Sequence, residues 1–226
     1  MATIAIAGGH GKIALLLSRR LSSSGHDVRG IIRNPDQESD LSAHGASSIV
    51  LDLEETDVET LARALDGVDA VVFAAGAGPG SGADRKLTVD RDAAVLLGEA
   101  AVAAGVRRYV LVSSIGVTTT PPEGTDEVFR VYIEAKRAAE EGVRGLDLDW
   151  TIVRPGQLTD DEGSGSVTVT PGDTRGPVPR ADVAAVLAAA LERADLSGST
   201  FTVISGPDSI DAALDAFVAT GDMPMD

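Results

Sequence analysis

Thr3-Ile4-Ala5-Ile6-Ala7-Gly8-Gly9-His10-Gly11-Lys12-Ile13-Ala14 is the stretch whose reading decides the fold. Its first five residues read as a strand, and three glycines within the next four residues read as a turn. An amphipathic helix pattern, Lys12–Ser23, then begins. A phosphate-binding turn needs glycine where the backbone reverses sharply and where it approaches a pyrophosphate. The helix that follows offers free N–H groups and the positive end of its dipole. Gly8 and Gly11 have the spacing G-x-x-G. Ala14 stands where a third glycine would, and alanine there still permits close packing of helix on strand. Gly8, Gly9, His10, Gly11, Lys12 and Ile13 are therefore the expected contacts to a dinucleotide, with His10 read as a spacer in the turn. The competing reading is a plain strand-to-helix turn; the strand before it and the helix after it favour a ligand.

Outward from this turn, short β-branched runs alternate with longer helical patterns. Strands are expected at Thr3–Ala7, Asp27–Ile32, 47–51, 70–74, 109–113 and 150–153, and helices at Lys12–Ser23, 57–65, 85–104 and 126–142. Ala70-Val71-Val72-Phe73 and Tyr109-Val110-Leu111-Val112 are continuously apolar, as strands covered on both faces are. Gly25, Gly67 and Gly105 each follow a helix pattern, where a left-handed cap is wanted. The alternation predicts an α/β Rossmann-type, doubly wound parallel sheet. After Pro155 the pattern loosens into an Asp/Gly/Ser-rich loop, a short strand at 167–170, a helix from Pro179 to Glu192, a strand at 201–204 and a last helix at 210–218. Residues 1–226 are read as a single dinucleotide-binding domain, with 155–226 completing the sheet and covering the substrate pocket as a small C-terminal lobe.

Composition narrows the function. The chain contains no cysteine, so thiolate metal sites, disulfides and a thiol nucleophile are excluded. His10, His26 and His44 show no ligand spacing, and no metal is expected. The net charge of -16 repels phosphate backbones and anionic lipid, which disfavours nucleic-acid and membrane partners. No signal-peptide pattern and no membrane-length apolar run is present, and a cytoplasmic protein is expected. The expected partner is a small-molecule substrate. The apolar faces of helices 85–104 and 126–142 suit either a homodimer or burial within one chain.

The second strand ends in Arg33, where NAD enzymes usually carry an acid for the ribose hydroxyls. A guanidinium instead matches a 2′-phosphate through paired charge-assisted hydrogen bonds. NADP is thus the expected cofactor, with NAD as the alternative. Asp52, at the end of the third strand beside Leu53, is read either as an adenine acceptor or as an ordinary loop aspartate. Ala74, Ala75 and Gly76 are small enough to lie against the cofactor's ribose and pyrophosphate.

The fifth strand ends Val112-Ser113-Ser114, and Tyr132 and Lys136 follow four residues apart on one helix face. An ammonium beside a tyrosine stabilises its phenolate, so the hydroxyl can exchange a proton with a carbonyl oxygen near neutral pH. A serine hydroxyl at the strand end can hold the same oxygen, and the lysine can also bind the nicotinamide ribose.

Taken in order, the G-x-x-G turn, Val-Ser-Ser, Tyr-x-x-x-Lys-x-x-x-Glu, Thr151-Ile152-Val153-Arg154-Pro155-Gly156 and Arg180-Ala181-Asp182-Val183-Ala184 resemble the atypical, extended-like short-chain dehydrogenase/reductases, also described as NAD(P)H-binding or NAD-dependent epimerase/dehydratase-like proteins. The resemblance covers nearly the whole chain. It implies that Ser114, with Ser113 the alternative, is the active-site hydroxyl, that Tyr132 and Lys136 are the acid–base pair, and that Pro155 borders the nicotinamide. It implies an NADP(H)-dependent oxidoreductase that transfers hydride to a small carbonyl, quinone or flavin-like acceptor. The alternatives are a non-catalytic NADP(H)-binding redox sensor and, against the short final third, a sugar-nucleotide epimerase or dehydratase.

The reading of Arg33 is checked by Arg33→Asp. Titration should show NADPH binding weakened far more than NADH binding; equal loss of both would remove Arg33 from 2′-phosphate recognition.

Overall fold

Strands covered on both faces need two helical layers, and the alternation along each strand shows where they lie. The computed structural model describes residues 1–78 and 80–221. The first half runs β1 (Thr3–Ala7), α1 (Lys12–Ser23), β2 (Asp27–Ile32), a 3-10 turn (Pro35–Gln37), α2 (Glu38–Ala43), β3 (Ser47–Val50), α3 (Val58–Ala64) and β4 (Ala70–Phe73). Next come a one-turn α4 (Ala83–Arg85), a π-helical stretch (Lys86–Asp92), α5 (Ala93–Ala103), β5 (Arg108–Val112), α6 (Glu127–Arg144) and β6 (Asp149–Pro155). The remainder is β7 (Gln157–Thr159), β8 (Ser166–Thr170), β9 (Pro177–Pro179), α7 (Arg180–Glu192), a 3-10 turn (Ala194–Leu196), β10 (Ser199–Ser205), β11 (Asp208–Ser209) and α8 (Ile210–Thr220).

The main sheet has nine strands in the order β11-β8-β10-β6-β5-β4-β1-β2-β3. The segment β3-β2-β1-β4-β5-β6 is the doubly wound order, and it reverses direction between β1 and β4. Ile4, Ile6, Val72 and Val110 face one core with α1, α2, α7 and α8. Ala5, Ala7, Val71, Phe73 and Tyr109 face the other, with α3, α5 and α6. Helix α1 buries Ala14, Leu17, Ser18 and Leu21, the i, i+3, i+4, i+7 stripe of an amphipathic helix, and packs beside α7.

The expected Rossmann-type sheet is therefore present, and its first six strands lie within a few residues of the sequence reading. Four features differ. The polar segment after β2 forms the Pro35–Gln37 turn and α2, where only Leu41 is buried. Strand β6 runs on to Pro155 instead of stopping at 153. The sheet is not wholly parallel: β10 joins β6 in parallel, but β8 returns antiparallel to β10, and β11 is antiparallel to β8. The expected helix 85–104 is broken, because a π-helical stretch separates α4 from α5. A π-helix admits an extra residue per turn and so rotates the side chains that follow it.

The glycine turn is shaped by backbone proximity. Gly8 has φ +76°, and a Cβ there would lie 2.6 Å from the Ala75 Cα. A Cβ on Gly9 would lie 2.7 Å from the Gly30 Cα in β2. The turn is held by Gly9 N–H donating to Ile31 O at 3.0 Å and Gly11 N–H donating to Gly8 O at 2.8 Å.

Gly9→Ala should destabilise the protein by about 1–3 kcal/mol, because backbone cannot retreat as a side-chain tip can. Urea denaturation measures this. A change below about 0.5 kcal/mol, typical of an indifferent surface site, would show that the β1–β2 approach is not tight.

Candidate functional site

Six strand ends point to one edge of the sheet, and two adjoining clefts lie there. The first, about 370 Å³, is lined by Gly8, His10 and Gly11 of the turn, Arg33 after β2, Asp52, Leu53 and Glu54 after β3, Ala74–Ala77 after β4, and Arg85. The second, about 500 Å³, shares Ala74, Ala75 and Gly76 and continues to Ile13, Lys86, Asp90, Ser113, Ser114, Tyr132, Lys136 and Pro155. The predicted adenosine-side and reactive-side residues thus fall into two connected halves. Gly9 and Lys12 line neither cleft. Gly9 is packed on β2, and Lys12 Nζ, two-thirds exposed, bonds Asp160 Oδ2 at 2.6 Å. Asp160 also pairs with Arg180 at 2.7 Å, so the glycine turn is tied to the start of α7. A larger cavity, about 670 Å³, lies away from the strand ends between α1, α7 and the loop at 163–165, and contains none of the predicted site residues.

Helix α1 starts with Gly11 as N-cap, no capping side chain and no acidic residue in its first turn. Its leading N–H groups are therefore left without a side-chain acceptor beside the glycine turn, as an anion site requires. His10 is held aside, its Nε2 2.7 Å from Asp40 Oδ2. Asp52 turns its Oδ1 back onto the Glu54 amide at 3.0 Å, which is the loop-aspartate geometry. Arg33 is exposed, and its Nη1 lies 3.4 Å from Glu54 Oε2. Glu54 also accepts from Arg85 Nη2 at 2.6 Å and from the Thr88 hydroxyl at 2.6 Å. The Arg85 hydrogen bond holds the Glu54 carboxyl below its usual range against the opposing effect of burial.

In the second cleft the two serines differ. Ser113 is buried and donates to Glu140 Oε1 at 2.6 Å. Glu140, itself buried, also takes both a 2.9 Å and a 2.6 Å hydrogen bond from Arg154 and a 2.9 Å bond from Arg144. The Tyr-x-x-x-Lys-x-x-x-Glu and Arg-Pro-Gly motifs thus meet in one ion cluster that fixes α6 against β5 and β6. Ser114 is half-buried and, among the described residues, donates only to the neighbouring Ile115 carbonyl, at 3.1 Å. Geometry therefore leaves Ser114, not Ser113, as the hydroxyl available in the cleft. The Arg-Ala-Asp motif is likewise structural: buried Asp182 accepts from the amides of Ser164 and Gly165 at 3.0 and 2.8 Å.

Tyr132 is half-buried beside Phe129, with ring centroids 6.1 Å apart, and the Lys86 ammonium lies 5.5 Å from its ring centroid. Among the described residues none hydrogen-bonds its hydroxyl. Lys136 is buried. Its Nζ lies 3.3 Å from Asp90 Oδ1 and donates to Val112 O at 3.2 Å. Asp90 Oδ2 in turn accepts from the Ala77 amide at 3.2 Å. Sequence reasoning passed over Glu54, Arg85, Lys86 and Asp90. The π-helical stretch brings Lys86 and Asp90 to the cleft from a segment read as ordinary helix. Its one visible signal was an acid, Asp90, next to the apolar Val89 on the stripe expected to be buried.

Similar proteins identify the family. The family described as NAD(P)H-binding matches residues 8–194. YhfK of Bacillus subtilis, a sugar epimerase by name and uncharacterised, is 33% identical over 210 residues, 92% of this chain and 97% of its own. Among solved structures, an NAD-dependent epimerase/dehydratase candidate from Bacillus halodurans is 34% identical over 96% of this chain and all of its own, with a TM-score of 0.88. The oxidoreductase YlbE of Lactococcus lactis is 25% identical over 96% and 97%, with a TM-score of 0.82.

Asp90→Ala would leave the Lys136 ammonium buried without its counter-ion. Breaking one side of a buried pair costs about 3–5 kcal/mol. Urea denaturation should show a loss of that size for Asp90→Ala; a loss below about 1 kcal/mol, the worth of an exposed pair, would mean that water already screens this one.

Proposed function

We propose, for this chain that belongs to the NAD(P)H-binding family, an NADPH-dependent oxidoreduction of a small carbonyl, quinone or flavin-like acceptor. The observation that carries it is the joining of an anion-ready turn and the arginine-bearing adenosine cleft to a second cleft holding Ser114, Tyr132 and Lys136. The residues fit the cofactor. The uncapped first turn of α1 would take the pyrophosphate, Ala74, Ala75 and Gly76 leave room for backbone approach, and Arg33 would meet the 2′-phosphate. Bound NADPH supplies the hydride.

The chain's own groups orient the acceptor and manage its proton. Ser114 hydrogen-bonds the acceptor oxygen. Tyr132 gives that oxygen its proton. Lys136, held by Asp90 and the Val112 carbonyl, is fixed at the cleft wall, where it would hold the nicotinamide ribose. Lys86, near the Tyr132 ring, adds a second cation to the same wall. The Lactococcus relative's name, an oxidoreductase, supports this class of reaction. Pairing of Lys136 with Asp90 also favours a second reading, a protein that binds NADP(H) and signals its redox state without turnover, because the lysine's charge is then partly offset at Tyr132.

Titration with NADPH and NADH, followed by a panel of quinones, flavins and aldehydes at fixed NADPH, separates these readings. The reductase predicts tight NADPH binding and acceptor-dependent loss of reduced cofactor. Tyr132→Phe should lower kcat on an aldehyde by about 10²–10⁴-fold, the range of a positioned proton donor, with NADPH binding unchanged. Binding without turnover on any acceptor supports the sensor, and failure to bind either cofactor overturns both.

A further inference from the structure

The mouth of the adenosine cleft holds an arrangement that cofactor recognition by Arg33 does not use. Two guanidiniums from distant parts of the chain converge on one carboxylate. Arg33 arrives from the end of β2, with Nη1 3.4 Å from Glu54 Oε2. Arg85 arrives from α4, beyond β4, with Nη2 2.6 Å from the same oxygen and Nε 3.5 Å from Oε1. Thr88 Oγ1 completes the set at 2.6 Å from Oε1. The Glu54 side chain is 22% exposed, whereas Arg33 and Arg85 are 56% and 38% exposed. The carboxylate therefore sits inward and the two cations stand at the cleft mouth. All three residues line the same cleft as the glycine turn.

Charge decides what this cluster can take. Arg33, Arg85 and Glu54 together carry one net positive charge at the cleft mouth, and Asp52, on the same cleft wall, acts on Arg85 as a further negative charge. Two arginines meeting on one oxygen are also close enough to share a single small anion. A phosphate monoester fits that demand better than a carboxylate: it carries nearly two charges and three acceptor oxygens at neutral pH, and arginine forks bind it bidentately. A ribose hydroxyl offers no such charge. Glu54 meanwhile takes Nη2 and Nε of Arg85 and, at 3.4 Å, Nη1 of Arg33, donors that a phosphate held between the two arginines would use.

We propose that Arg85 is the second cation of the 2′-phosphate subsite and that Glu54 is a specificity-determining residue which competes with that phosphate for both arginines. This rests on the NADP reading of the adenosine end. Glu54 orients Arg33 and Arg85 in the free protein and lowers the subsite's affinity for phosphate, so that Arg33 alone does not set the preference between the two cofactors. Arg85 also immediately precedes Lys86, whose Nζ donates to Gly78 O at 2.9 Å, so the subsite is continuous with the loop above the second cleft.

Calorimetry with 2′,5′-ADP and 5′-AMP isolates the subsite, since the two probes differ only by the 2′-phosphate. Wild-type protein should bind 2′,5′-ADP the more tightly, and Arg85→Gln should weaken 2′,5′-ADP about tenfold, the worth of one lost charge-assisted hydrogen bond, leaving 5′-AMP unchanged. Glu54→Gln should tighten 2′,5′-ADP severalfold, again without effect on 5′-AMP; a gain of affinity cannot come from misfolding. If the wild type does not distinguish the probes, the NADP reading falls and this inference with it. If Arg33→Gln abolishes the preference while Arg85→Gln and Glu54→Gln leave the ratio of affinities unchanged, the NADP reading stands and this inference is wrong. Weaker 2′,5′-ADP binding by Glu54→Gln would overturn the competition and make Glu54 an organiser of the site.

Discussion

Close approach of three backbone segments at the switch point of the sheet is the constraint on which the rest depends. The turn after β1 lies against Gly30 of β2 on one side and Ala75 beyond β4 on the other, with no room for a Cβ at Gly8 or Gly9. Doubly wound sheets open a crevice at the strand ends where the order reverses. Here the glycine turn at the floor of that crevice is packed backbone against backbone. The uncapped start of α1 then presents its N–H groups to whatever enters. Strand order and glycine content are one property seen at two levels.

A second constraint works at the far end of the site. The Glu140–Arg154 pair, with Ser113 and Arg144, joins α6 to the ends of β5 and β6. Buried ion pairs of this kind are weak evidence for stability but suit a role in fixing one arrangement. Tyr132 and Lys136 lie two and one helical steps before Glu140 on the same face, so clamping Glu140 also sets where those two meet the cleft. Asp90 adds a second anchor from the opposite wall. The site therefore depends on charges placed beneath it as much as on the residues at its surface.

Much of this was legible in the sequence because it rests on simple periodicities. The continuous apolar runs of β4 and β5 and the stripe Ala14, Leu17, Leu21 of α1 each report burial directly. The left-handed caps at Gly25, Gly67 and Gly105 are present with φ of +85°, +69° and +75°. What escaped has physical reasons. Helix α2 buries a single leucine, so no stripe marks it. The π-helical stretch keeps the apolar content of an α-helix while changing which side chains turn inward, so composition cannot reveal it. Strands β7 and β9 are three residues each, and β9 begins and ends in proline. The roles of Ser113 and Asp182 depend on partners distant in the chain, Glu140 and the loop at 163–165, whereas Asp52 is turned onto the Glu54 amide by its own local turn. The motifs that carried the family resemblance were visible, but that two of them form one ion cluster was not.

A crystal structure of the protein with NADPH tests the central claim most directly. The account predicts the pyrophosphate on the Lys12 and Ile13 amides, the 2′-phosphate beside Arg33 and the nicotinamide in the cleft of Ser114 and Tyr132. A cofactor lodged instead in the cavity between α1 and α7, or a glycine turn left empty at saturating NADPH, would contradict it.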